Sequence, residues 1–86
     1  MYRLVRDFSI KTPMWGEAIR YFTKPDERWD LTLVSRRVYG RVDEFITIMA
    51  AAGLDSVEQE LQEQMLVLPT ETQLFSMKQE AGYQNN

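Results

Sequence analysis

Residues with chemistry to offer gather in two places. Asp26, Glu27 and Asp30 cluster at a turn beside Pro25, and Arg36, Arg37 and Arg41 surround Tyr39. Paired carboxylates perform general acid–base work when a cleft pushes their pKa values apart. Three acids in a polar turn next to a proline read instead as a solvated surface, and Glu58, Glu60 and Glu63 along a later polar stretch read the same way. An arginine cluster with an aromatic residue inside it suits either phosphate recognition or pairing with a neighbour's carboxylates. The helix that follows opens Val42-Asp43-Glu44. In a helix-turn-helix those acids would stand where the phosphates lie. The interface reading is therefore preferred, with Arg36, Arg37 and Arg41 as contacts to a neighbouring subunit.

The residue inventory removes most catalytic mechanisms. The chain has neither histidine nor cysteine, so it lacks the commonest general base, a thiolate nucleophile and the usual zinc ligands. Its serines have no histidine to activate them. No glycine-rich phosphate loop, nucleophile elbow or metal-ligand spacing is present. The sequence thus points away from an enzyme, and it assigns no catalytic, cofactor or metal-binding residues. A net charge of −3 argues against nucleic acid as partner. No run approaches the ~20 apolar residues of a membrane span, and charges interrupt the first apolar run too early for a signal peptide. The expectation is a protein made in a cytoplasm, without a membrane partner. At 86 residues, 44% hydrophobic and 27% charged, it is one small globular domain.

The elements that would position these residues centre on 31–40. Leu31, Val34 and Val38 recur at helical spacing, Asp30 is placed to cap the first free N–H groups, and Gly40 is placed to end the helix in a left-handed conformation. A second helix is expected from Val42 or Asp43 to Ala52, with Phe45, Ile48, Met49 and Ala52 on one face and Gly53 closing it. Trp29 is expected to pack against the helix it precedes. Upstream, Ala18–Thr23 reads as a strand ended by Lys24-Pro25. Downstream, Asp55-Ser56-Val57-Glu58 resembles a capping box, which makes a third helical segment through Leu61 plausible. Met65–Leu68, closed by Pro69, reads as a buried strand. The expected core is Ile19, Tyr21, Leu31, Val34, Val38, Phe45, Ile48, Met49, Leu66 and Leu68.

The two ends read as extensions. Tyr2, Leu4, Phe8 and Ile10 share one parity, which suits either a strand of the domain's own sheet or an arm adding to a neighbour's sheet edge. From Thr70 onward the chain is polar apart from Leu74, Phe75, Met77 and Tyr83, which fits a free tail or a docked arm equally.

One resemblance emerges from these residues. Leu31-x-x-Val34-Ser35-x-x-Val38-Tyr39-Gly40, Ile48–Gly53 and Leu66-Val67-Leu68-Pro69 resemble the first helix, second helix and closing strand of LysM domains. Arg28-Trp29-Asp30-Leu31 and Arg37-Val38-Tyr39-Gly40 are similar to the LysM-like proteins of contractile phage tails, the tail protein X group among them. The resemblance implies an α+β fold: a small βααβ domain at 17–70, with a two-stranded antiparallel sheet and two helices, between an N-terminal arm (1–16) and a C-terminal tail (71–86). It also implies departures. The family's Gly-Asp-Thr is Arg28-Trp29-Asp30 here, its second-loop Asn and Pro are Ala52 and Gly53, and the glycine before its last strand is Glu63. A glycan groove would lose much of its polar lining, so protein is the implied partner rather than sugar.

The functional expectation is a structural subunit of a contractile-tail baseplate in the virion. It would join other baseplate, hub or tail-tube proteins in six copies or a multiple, as tail symmetry implies, with no cofactor. Tyr2, Leu4, Phe8, Ile10, Leu74 and Phe75 would be the contacts of its arms. Burial between subunits adds roughly 1.5–3 kcal/mol per large apolar side chain before ordering costs. The alternatives are a peptidoglycan- or chitin-binding module, and a small helix-turn-helix regulator in which Met65–Leu68 would be helical. On the arm reading, Asp at Leu4 and Phe8 leaves the monomer folded and stops assembly.

Overall fold

The computed structural model describes residues 2–80 and 82. In chain order the elements are α1 (Tyr2–Lys11), β1 (Ile19–Phe22), a 3-10 turn (Pro25–Glu27), α2 (Leu31–Tyr39), α3 (Phe45–Ala52), β2 (Met65–Leu68) and α4 (Glu71–Glu80). Among the described residues the fold is a small α+β arrangement with a two-stranded antiparallel sheet and four helices. In the sheet Ile19 pairs with Leu68, Tyr21 with Leu66 and Phe22 with Met65.

α2 and the sheet follow the sequence closely. Asp30 accepts a hydrogen bond from the Leu33 N–H at 3.2 Å, and Gly40 ends the helix at φ +76°. α3 begins at Phe45, later than expected, because Glu44 holds the turn before it. The Glu44 backbone donates to Ser35 Oγ at 3.1 Å, and its carbonyl accepts from Thr47 N at 3.0 Å. Gly53 closes α3 at φ +74°.

The N-terminal segment is a helix, neither strand nor arm. Residues 2–10 carry two periods at once. Tyr2, Leu4, Phe8 and Ile10 alternate, but Tyr2, Val5 and Ser9 also repeat at helical spacing, and tertiary contacts select the second. α1 packs on α3 and β2. Val5 is fully buried, the Tyr2 hydroxyl donates to Leu54 O at 2.8 Å, and Ser9 Oγ donates to Val67 O at 2.6 Å. Arg6 Nη1 reaches Ala51 O at 3.4 Å, placing a cation at the carboxyl end of α3. A Cβ on Gly53 would come within 2.7 Å of that guanidinium, so this glycine answers to both its φ and its neighbour.

Three further expectations are corrected. The 71–86 segment is not a tail as far as it is described. Thr70 N donates to Gln73 Oε1 at 2.8 Å and Gln73 N to Thr70 Oγ1 at 3.3 Å, a reciprocal cap that starts α4. Leu74 is buried and Met77 packs on the core, while Tyr83 lies outside the described residues. The segment after Gly53 is not helical, because Gln59 Oε1 folds back onto the Asp55 and Ser56 N–H groups and spends the capping signal on a turn. Leu61 is buried by that route, with its N–H on Arg28 O at 2.7 Å. Trp29 is exposed and does not cover α2.

Of the expected core, Leu31, Val34, Ile48, Leu66 and Leu68 are buried, and Ile19, Tyr21, Val38, Phe45 and Met49 are half-buried against them. Val5, Tyr39, Ala50, Ala51, Leu61 and Leu74 complete the cluster. The core therefore runs through all three expected segments, drawing Val5 from the first and Leu74 from the last.

Substitutions separate a docked end from a free one. Leu74→Ala should cost roughly 2–5 kcal/mol and exposed Phe75→Ala less than about 0.5 kcal/mol. Val5→Asp should abolish the cooperative thermal transition followed by circular dichroism, and exposed Ile10→Asp should keep it. Free arms would leave all four variants alike.

Candidate functional site

The acidic turn folds inward. Tyr21 stands on the inner face of β1, and Pro25-Asp26-Glu27 turns tightly enough to bring Glu27 back beneath it. The Glu27 carboxylate has no solvent exposure. Its Oε2 accepts from the Tyr21 hydroxyl at 2.5 Å and from Arg37 Nη1 at 2.7 Å, and its Oε1 accepts from Lys24 N at 2.7 Å. Arg37 also donates to both oxygens of Asp26, at 3.1 and 2.8 Å. Hydrogen bonding to Arg37 holds the Asp26 carboxyl below the usual range, and the two carboxylates raise the Arg37 guanidinium above its own. Burial, then the hydrogen bond to Glu27, pushes the Tyr21 phenol up. Asp30 is lowered by the Thr32 hydroxyl and the Leu33 N–H.

A second cluster ties α4 to the α2–α3 corner. Buried Glu44 accepts from Arg41 Nη2 at 2.8 Å, from Thr47 Oγ1 at 3.0 Å and from Lys78 Nζ. Arg41 reaches Glu71 as well, at 2.8 and 3.1 Å, and its guanidinium lies 5.6 Å from the Tyr39 ring centre. Burial alone would raise the Glu44 carboxyl, but the bonds from Lys78, Arg41 and Thr47 together outweigh it and hold it low. Tyr39, with its hydroxyl on Pro69 O at 2.7 Å, is raised by burial and by the neighbouring carboxylates. Among the described residues no buried side-chain nitrogen or oxygen lacks a partner. These clusters are joints between elements.

Two of the arginines expected at an interface thus have partners within the chain. Arg37 and Arg41 are engaged within their own chain, and Arg36 is exposed at the end of α2. The other expected contacts scatter. Tyr2, Leu4 and Phe8 are half-buried in α1, Leu74 is in the core, and Ile10 and Phe75 are exposed. The structure does not bring these nine residues onto one surface.

The surface it does assemble lies on the outer side of the sheet. Thr23 N donates to Gln64 O at 2.9 Å, so position 23 is a hydrogen-bonded one, and alternation turns the N–H and C=O groups of Arg20 and Phe22 away from β2. Alternation also places Arg20, Phe22, Met65 and Val67 on the outer face. Phe22 and its direct partner Met65 are 54% and 53% exposed. Arg20 Nη2 donates to Pro13 O at 2.8 Å, pinning the Pro13–Gly16 turn beside this face. That turn carries Met14 and Trp15, 87% and 88% exposed. α1 covers the free edge of β2 through Ser9, whereas the backbone groups of Arg20 and Phe22 on the free edge of β1 have no hydrogen-bond partner among the described residues. The signal was present in the sequence: Phe22 and Met65 have the parity opposite to Tyr21 and Leu66, and Met14-Trp15 stands between two turn residues.

A second feature is a concavity of about 370 Å³ lined by Pro25, Arg28, Glu60, Leu61, Gln62 and Glu63. Arg28 and Glu60 form an ion pair in its wall. No protein-family model, curated protein or solved structure matches the chain.

The shifted groups fix the pH response. Asp26, Asp30 and Glu44 are lower in the folded chain, so their contribution is complete above the unfolded carboxyl range near 4 and is lost as pH falls through the folded values. Tyr21 and Tyr39 are higher, so theirs is complete below about 10 and is lost as pH rises further. Melting temperature should be level between about pH 5 and 9 and fall on both sides. Lys78→Met should lower it at neutral pH, by a gap that narrows below about pH 4. A gap independent of pH would mean that Lys78 acts through packing.

Proposed function

We propose that the chain is a structural subunit of a contractile phage tail baseplate, a LysM-like β1-α2-α3-β2 module that joins neighbouring subunits by protein–protein contacts. The observation that carries this reading is the Met14-Trp15 turn, tied by Arg20 to a place beside the apolar Phe22–Met65 pair. Large apolar side chains presented this openly are the kind of anchor an interface uses. Two observations support the reading further. The buried ionisable groups are spent on holding elements together, and the strand–helix–helix–strand order carries the signature residues Leu31, Val34, Val38, Tyr39 and Gly40 on α2 and its cap. The contacts proposed are those of the open sheet face, since α1 and α4 dock on their own core. Partners would be baseplate, hub or tube proteins in the virion, in six copies or a multiple.

A glycan-binding module is the second reading, favoured by the concavity between the 25–28 and 60–63 segments, where a LysM sugar groove would lie. Glu60, Glu63 and the Arg28–Glu60 pair fill it with charge, which suits an uncharged oligosaccharide poorly. A helix-turn-helix regulator required Met65–Leu68 to be helical, and these residues form β2.

The test is a Met14→Ser, Trp15→Ser double variant supplied to a tail-assembly reaction. It should melt like the parent chain but enter tails at least about tenfold less, since a buried tryptophan anchor contributes about 2 kcal/mol or more. Normal incorporation of a folded variant would overturn the reading. Saturable quenching of tryptophan fluorescence by chitin or peptidoglycan fragments would favour the second.

A further inference from the structure

We propose that two copies of the chain pair antiparallel through the free edges of β1, extending the two-stranded sheet to four strands in the order β2-β1-β1-β2. A second copy of β1 fits that edge by its register. Arg20 and Phe22 are the β1 residues whose backbone groups face outward, so a joining strand must place its own outward-facing residues opposite them. Three symmetric registers satisfy that rule for a second copy. One sets Arg20 against Arg20. Another sets Arg20 against Lys24. Like charges directly opposite destabilise a pair in both. The third centres the two-fold axis on Tyr21, sets Arg20 opposite Phe22 in both directions, and leaves Ala18 opposite Lys24.

This third register is self-complementary. The Arg20 and Phe22 backbones exchange four hydrogen bonds, and each Arg20 side chain stands directly opposite the partner's Phe22, which is exposed in the single chain. The antiparallel sense also sets the Met14-Trp15 turn, at the Arg20 end of one strand, against the Phe22–Met65 end of the other. The pairing therefore covers side chains that the single chain leaves open. Lys24 N already donates to Glu27, so the exchange ends where the turn begins.

An isologous contact closes on itself and cannot be the repeating contact of a ring. The pair is thus the state of the free chain, or a pairing of two copies within each repeat of a larger assembly. It does not depend on the proposed baseplate role.

The chain has no cysteine, so a site-specific cross-link reads the register directly. Ala18→Cys and Lys24→Cys chains, both of which keep Arg20, should cross-link to each other under mild oxidation faster than either does to itself, because only the proposed register sets position 18 opposite position 24. Cross-linking between the two chains no faster than within each would overturn the proposed register. Sedimentation equilibrium of the full unmodified chain from micromolar to millimolar concentration should show a monomer–dimer equilibrium. Phe22→Pro removes an outward N–H while sparing the β1–β2 ladder, and should weaken association at least about tenfold, with the circular dichroism of the monomer unchanged. A monomer at every concentration overturns the pairing and leaves the baseplate reading standing with an unlike partner. Failure of the Met14, Trp15 variant test with a dimer intact does the reverse.

Discussion

Glu27 is a carboxylate taken wholly out of water, and the β1–α2 connection is shaped by what that requires. A buried charge must be matched by hydrogen bonds or it destabilises the fold. The three donors that match it come from three places: the Tyr21 hydroxyl on the strand, the Lys24 N–H at the start of the turn and the Arg37 guanidinium on α2. Satisfying one side chain thereby fixes the angle at which α2 leaves the sheet. Asp26, on the outer side of the same guanidinium, holds the fork in place. The Arg28 carbonyl then accepts the Leu61 N–H, which ties this corner to the loop leading into β2.

The same device recurs at the opposite corner. Glu44 gathers Arg41, Thr47 and Lys78, and so joins the α2–α3 turn to α4. In a chain this short the apolar core is small, and two buried carboxylates with complete sets of donors specify geometry where hydrophobic packing alone would leave latitude. Both clusters use arginines whose sequence context suggested a neighbouring subunit. With these engaged internally, the outer face of the sheet and the Met14-Trp15 turn stay open, as do the separate side chains of Ile10, Trp29 and Phe75. The proposed contacts follow from that redistribution.

Much of the middle of the chain was legible because its signals were local. Asp30 as a cap, Gly40 and Gly53 as stops, and the Met65–Leu68 run each act within a few residues. The ends were misread because their signals compete. Residues 2–10 satisfy strand and helix periods together, and burial of Val5 against α3 decides between them. Thr70-Glu71-Thr72-Gln73 carries a capping box that the surrounding polar residues obscure. Burial of Glu27 could not be read locally, since the acid that stays solvated and the acid that is buried sit side by side at 26 and 27. What separates them is the distance in sequence to Tyr21 and Arg37, which the fold alone closes.

The central claim is that Tyr21 acts through its bond to Glu27, and a double-mutant cycle measures it. In the parent chain, Tyr21→Phe should cost roughly 1.5–3 kcal/mol by urea denaturation, the usual loss for a hydrogen bond to a charged group. In a Glu27→Met background the same change should cost nothing or stabilise, because the hydroxyl has lost its acceptor. An equal loss in both backgrounds would contradict the account and place the value of Tyr21 in its ring packing.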